Sequence, residues 1–239
     1  MSNPHHAIVF LVDIDNTLLD NDRIQQDIQD HLEHELGAQC RAAYWAIQEH
    51  LFATLGYRDY LGAVQRFRLE RPHDIRLLSI GRYLMNYPFA DRLYPGALDV
   101  LRHLSTAGPA VILSDGDAVF QPRKAERSGI AGAAEERVLI YIHKEQALAD
   151  VERRYPADHY VLVDDNLHIL SAVKRAWGQR VTTVFPRQGK FAHDASIIAS
   201  NSPADLTVER IGDLLDYDLP GRVAKQQPLH PEREVNPWR

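Results

Sequence analysis

Five short apolar runs, rich in β-branched residues and nearly free of polar ones, punctuate this chain: "AIVFLV" (7–12), "AVILS" (110–114), "VLIYI" (138–142), "YVLVD" (160–164) and "VTTVF" (181–185). A strand wetted on one face alternates apolar and polar side chains, whereas a strand covered on both faces reads as a continuous apolar run. The runs therefore predict buried parallel strands, and parallel pairing demands a crossover segment between partners. Such segments are present. "GALDVLRHLSTAG" opens behind Pro95 and closes at Gly108, and "NLHILSAVKRAWG" closes at Gly178, both with helical punctuation. A weaker run, "DLTV" (205–208), is a candidate sixth strand. The expected fold class is α/β, a Rossmann-like parallel sheet flanked by helices.

One interval breaks the rhythm. Between the first run and the second no convincing strand occurs, over a distance far longer than a crossover helix needs. From Asp22 to Asp91 the pattern is helical: Ile24, Ile28, Leu32 and Leu36 fall four apart before Gly37, followed by Tyr44, Ile47 and Leu51, then Leu61, Val64 and Phe67. This predicts an inserted all-helical domain over residues 21–92, dividing an α/β core into 1–20 and 93–219. The Pro-Gly pair in "LYPGALDVL" marks the return to the sheet. Residues 220–239, proline-rich and aperiodic, are expected to form an extended or disordered tail with Trp238 docked on the body.

Composition excludes several functions. The net charge of -6 and the lack of any basic stripe argue against a nucleic-acid partner. No stretch approaches the roughly 20 apolar residues of a membrane span. The opening apolar run ends in acid rather than in a small-residue cleavage site, so it does not read as a secretion signal. A single cysteine, Cys40, cannot form an internal disulfide, and a cytoplasmic location is expected. Twelve histidines give no pair with ligand spacing: His5 and His6 are adjacent near the terminus, and His31 and His34 sit among solvated acids on one helix.

Ligands of an open parallel sheet bind beyond the carboxyl ends of its strands. The first run delivers Asp13 and Asp15 there, the second Ser114 with Asp115 beside it, and the fourth Asp164 and Asp165, while Lys144 lies just past the third. The four carboxylates of Asp13, Asp15, Asp164 and Asp165 in one cleft repel one another by several kcal/mol at an effective dielectric of about 20, which implies a bound cation or strongly shifted pKa values. Hard oxygen ligands favour Mg2+. A carboxylate held in this way can attack phosphorus, and one two residues away can protonate the leaving alkoxide and then deprotonate water. A lysine and a serine hydroxyl would balance charge on the phosphoryl oxygens.

The order of these residues resembles the haloacid dehalogenase (HAD) superfamily. "DIDNT" (Asp13, Asp15, Thr17) matches its first motif, "VILSDGD" (Ser114) the second, "HKEQAL" (Lys144) the third and "VLVDDN" the fourth, and the helical insertion matches the C1-type cap position. The resemblance covers about residues 7–210. It implies that Asp13 is the nucleophile and Asp15 the general acid/base, that Asp13 and the Asp15 main-chain carbonyl contact Mg2+, and that Ser114 and Lys144 hold the phosphoryl group. Asp165 matches the principal metal ligand and Asp164 an additional one. Where many relatives carry a further acid four residues on, this chain has Ile169. Members that cleave carbon–halogen bonds lack a carboxylate at the Asp15 position, because a halide leaves without a proton. The resemblance thus implies a Mg2+-dependent phosphatase acting on a small phosphorylated metabolite. A phosphomutase or phosphotransferase, and a non-catalytic phosphate-binding module, remain as alternatives. Within the insertion, "LGYRDYL" offers Arg58 as an anion contact, and "FPRQGKFAH" places Arg187 and Lys190 on a loop that meets either an anionic substrate or water.

Overall fold

The six apolar runs all form strands in a computed structural model that describes residues 3–226. These are β1 (His6–Val12), β2 (Ala110–Asp115), β3 (Val138–Tyr141), β4 (Ala157–Val163), β5 (Val181–Pro186) and β6 (Leu206–Val208). They make one parallel sheet of order β3-β2-β1-β4-β5-β6. The order reverses between β1 and β4, and such a reversal opens a crevice at the carboxyl edge where the two crossovers diverge.

The continuous apolar character of the strands has the cause inferred from sequence. Phe10, Val12, Ile112, Val161 and Val163 face one apolar cluster, and Val9, Leu11, Val111, Leu113 and Leu162 face the other, on the opposite side of the sheet. Both faces are therefore dry, as parallel sheets require.

Four α-helices make up the inserted segment after β1: α1 (Asn21–Leu36), α2 (Ala38–Leu55), α3 (Tyr60–Leu69) and α4 (Leu77–Asn86). Asp20 caps α1 by accepting from the Arg23 N–H at 2.9 Å. The α1 residues four apart, Ile24, Ile28, Leu32 and Leu36, are its buried stripe. Their cluster is continuous with that on one face of the sheet, through Leu18, Leu19, Tyr60, Phe89 and Phe120. The insertion therefore shares its apolar interior with the α/β core.

The chain re-enters the core beside the point where it left. Asp20 N–H donates to Arg92 O at 2.8 Å and Tyr94 N–H to Leu18 O at 2.9 Å. After Gly96, which has φ +80°, come α5 (Ala97–Ser105) and, beyond β2, α6 (Phe120–Arg127) and α7 (Ile130–Ala133). Then follow α8 (Leu148–Arg154) before β4, α9 (Leu167–Trp177), and α10 (Ala195–Ser200) after β5.

One expectation is corrected. The segment predicted to be extended from residue 220 begins as a helix, α11 (Leu219–Gln226), with Leu219 and Val223 buried in the main cluster. Their i, i+4 spacing lays both on one face, so two apolar contacts hold a helix despite Pro220, which stands in the first turn, where no main-chain N–H is missed. Trp238 and the rest of the proline-rich segment lie outside the described residues. Among the described residues no helix is long and apolar enough to cross a membrane.

Candidate active site

The turn at the end of β1 builds the first wall of the crevice. Asp13 still donates its main-chain N–H to Val163 O on β4, at 3.0 Å. Beyond it the N–H groups of Leu18 and Leu19 return to Ile14 O, both at 2.9 Å, and Asn16 adopts φ +59°. Asparagine tolerates that left-handed conformation better than most residues. Gly189, on the loop after β5, packs so closely that a Cβ there would stand 2.4 Å from Asn16 Cγ. Two loops distant in sequence are thereby pressed together at the β1–β4 reversal.

Asp13, Asp164 and Asp165 are all buried, and one carboxylate oxygen from each lies within 4.8 Å of the others. Lys144, on the turn after β3, sends its Nζ into this group: 2.6 Å from Asp13 Oδ1 and 2.6 Å from Asp164 Oδ2. Its main-chain N–H donates to Asp115 Oδ1 at 2.7 Å. Burial alone would lower the Lys144 pKa, but Asp13, Asp164 and Asp115 outweigh it and hold the ammonium well above its ordinary value.

One cation does not balance three buried carboxylates. Burial pushes Asp13 up to about 7, with Lys144 pulling down and Asp164 and Asp15 pushing further up. Burial, then Asp164 and Asp13, raise Asp165 well above the ordinary carboxylate range. Burial lifts Asp115 to about 6 against the pull of Lys144. Asp165 Oδ2 is moreover buried without a hydrogen-bond partner. An all-oxygen donor set with an orphaned oxygen and excess negative charge suits a hard divalent cation. Asp13, Asp164 and Asp165 are the side chains able to hold one.

The Asp15 carboxylate is not in that trio. It turns toward α6, where Lys124 Nζ lies 2.5 Å from Oδ1 and Gln121 Nε2 3.3 Å from Oδ2. Any contact from Asp15 to a cation in the trio would thus come from its main chain. Ser114 is buried on β2, and its Oγ accepts from the same Gln121 amide at 2.9 Å. The residues singled out from sequence, Asp13, Asp15, Ser114, Asp115, Lys144, Asp164, Asp165 and Arg58, all line one cleft of about 610 Å³.

Arg58 is engaged within the insertion. Its guanidinium pairs with Glu49 at 2.9 Å and sits over the rings of Trp45 and Phe52, so it is not a free anion contact. Lys190 lines the cleft with its Nζ 3.5 Å from Asp22, whereas Arg187 pairs with Glu209 at 3.1 Å away from it. The insertion adds Phe52, Tyr57 and Tyr60 to the cleft wall and brings Gly56 against His143, the residue before Lys144.

Sequence reasoning missed Lys124, Gln121 and His143. "FQPRKAER" reads as a polar surface helix; the available signal was that Lys124 stands four residues after Phe120 and next to Ala125, on the face that packs inward. His143 carried no signal, since its place depends on how the insertion folds back.

The family model for haloacid dehalogenase-like hydrolases matches residues 9–176. A crystal structure from Burkholderia xenovorans LB400, provisionally assigned as a haloacid dehalogenase-like hydrolase, is 59% identical, with 92% of this chain and 98% of that one covered and a TM-score of 0.86. The HAD-hydrolase YfnB of Bacillus subtilis, solved bound to magnesium, is 14% identical over 88% of this chain and 98% of that one, with a TM-score of 0.57. The L-2-haloacid dehalogenase of Xanthobacter autotrophicus with covalently bound chloropropionic acid is 17% identical over 86% and 96%, with a TM-score of 0.55. The two more distant structures share the fold. No curated protein matches the chain.

Proposed function

Because this chain belongs to the haloacid dehalogenase-like hydrolase family, we propose that it is a Mg2+-dependent phosphatase that cleaves a small phosphomonoester through an aspartyl-phosphate on Asp13. The observation that carries the reading is Asp15: a second carboxylate two residues from the nucleophile, in the same cleft but outside the buried trio. Displacement of a halide needs no proton donor, whereas displacement of an alkoxide does.

In the first step an Asp13 oxygen attacks phosphorus, the ester P–O bond breaks, and Asp15 gives its proton to the departing alkoxide. In the second, water attacks the same phosphorus and loses a proton to Asp15, which frees inorganic phosphate and restores the Asp13 carboxylate. Lys144, fixed as a cation, and the Ser114 hydroxyl neutralise and orient the phosphoryl oxygens. Asp13, Asp164 and Asp165 would hold Mg2+, which would supply positive charge against the phosphoryl oxygens. The aromatic wall from the insertion and the cleft volume favour a small metabolite over a phosphoprotein. A lone cysteine accords with a cytoplasmic enzyme.

The purified protein, with and without Mg2+, is assayed for phosphate release from an aryl phosphate and a panel of phosphorylated metabolites, and for halide release from 2-chloropropionate. Mg2+-dependent phosphate release that Asp13→Asn abolishes is the expected result. Halide release without phosphate release overturns the reading, and transfer of phosphate to a sugar hydroxyl assigns a phosphotransferase instead.

A further inference from the structure

Lys124 is 1% exposed, and its ammonium has two polar partners in the structure: Asp15 Oδ1 at 2.5 Å and the Asn21 amide oxygen at 3.2 Å. Stripping water from an ammonium is costly, and a buried pair made with a partly exposed carboxylate is a weak source of stability. A hydrophobic residue would pack against Phe120 at lower cost. The second α6 residue turned into the crevice, Gln121, spends its amide on Asp15 Oδ2 and on Ser114 Oγ. Both Asp15 oxygens are thus gripped from one side by side chains three residues apart on α6, while 30% of the Asp15 side chain stays exposed. The helix aims one carboxylate and keeps it from swinging into the trio of Asp13, Asp164 and Asp165.

We infer that Lys124, assisted by Gln121, is a positioning residue that sets Asp15 for proton transfer with the leaving group. The inference rests on the phosphatase reading of Asp15. It explains why a polar pair is buried beside the site on α6. A tie between α6 and the start of α1, through Asn21, is the competing role. The two differ in how loss of the pair depends on the leaving group, because a poor alkoxide leaving group needs the proton and a stable phenolate does not.

The test compares kcat and KM for p-nitrophenyl phosphate and for glycerol 2-phosphate in wild type, Lys124→Met, Lys124→Arg and Asp15→Asn, with Mg2+ throughout. Lys124→Met is expected to lose about tenfold to a hundredfold in kcat/KM on glycerol 2-phosphate, the ratio that reports the step in which the alkoxide leaves, a part of the usual general-acid contribution. Its KM should stay within about threefold, and kcat/KM on the aryl ester should fall far less. Lys124→Arg should recover part of the loss. An equal loss on both esters in Lys124→Met, beside a leaving-group-dependent loss in Asp15→Asn, reduces Lys124 to a structural tie and overturns the inference alone. An equal loss of kcat/KM on both esters in Asp15→Asn, a ratio into which the shared water-activating step does not enter, removes the acid role itself, and the phosphatase reading of Asp15 falls with the inference. Should Lys124→Met fail to fold, Gln121→Met is compared in the same way: a smaller loss confined to glycerol 2-phosphate supports the inference, whereas no loss, or an equal loss on both esters of the kind that freeing Ser114 alone would give, overturns it.

Discussion

Thr17 Oγ1 accepts a hydrogen bond from the main-chain N–H of Asp165 at 3.0 Å, across 148 residues of sequence. Both groups are buried, and the bond ties the turn after β1 to the acidic pair after β4. Thr17→Val keeps the shape and removes the acceptor, leaving a buried N–H unpaired. The expected cost is about 1–3 kcal/mol in chemical denaturation, with weaker Mg2+ binding because Asp165 loses its anchor. Unchanged stability and unchanged Mg2+ affinity together would show that the bond does not hold the site.

The raised carboxyls predict that any response to Mg2+ depends on pH. A carboxyl whose folded pKa lies above its unfolded value binds extra protons in the folded state, so its ionisation erodes stability as pH rises. For Asp13 the window runs from 3.8 to about 7, and Asp115, raised to about 6, adds to it. His159, lowered from 6.5 chiefly by burial, works in the opposite sense. The Mg2+ increment therefore isolates the acidic cluster better than the raw curve does. We expect the rise in Tm on adding Mg2+ to be small near pH 5 and to grow toward pH 7.5, as the ion ceases to compete with protons. A Tm increment that is flat over that range contradicts the cluster's role in holding the ion.

Gly56 has φ +82°, and a Cβ built on it would stand 2.3 Å from His143 Cε1. Gly56→Ala meets two penalties, a left-handed backbone worth about 1–2 kcal/mol and a collision with the His143 ring. In the double variant with His143→Ala only the first persists. A double-mutant cycle read by denaturation should give a coupling of at least about 0.5 kcal/mol. Activity in Gly56→Ala should fall as the insertion moves away from His143.

Asp27 on α1 accepts from the Tyr87 hydroxyl and pairs with Arg92 Nη2 at 2.7 Å and Arg23 Nε at 3.0 Å, close to where the chain leaves and re-enters the core. Burial alone would raise its pKa, but the Tyr87 and Arg92 hydrogen bonds prevail and lower it below 3.8. That contribution is present above about pH 4 and is lost as pH falls through the depressed value. Asp27→Asn should cost about 1–3 kcal/mol at pH 7, measured in denaturant, with the gap from wild type narrowing below about pH 4.

Much of the molecule is legible in its linear pattern. The strands lie where continuous apolar runs placed them, because burial on both faces leaves a mark in every residue of a central strand. Asp13, Asp164 and Asp165 converge as their strand-end positions implied, since β1 and β4 are neighbours at the reversal of strand order. The α11 helix was hidden by Pro220, because two buried contacts were enough to override a composition that reads as irregular.

From the sequence alone came the α/β class, the helical interruption and the acidic strand ends, all local consequences of periodicity and of what a strand can deliver to its tip. The grip of Lys124 on Asp15, the pairing of Arg58 with Glu49 and the seat of Gly56 against His143 were decided only by tertiary packing. Each joins residues whose spacing along the chain carries no period, so their direction and burial exist only once the segments that carry them have packed: within the insertion for Arg58, between α6 and the turn after β1 for Lys124, and between insertion and core for Gly56.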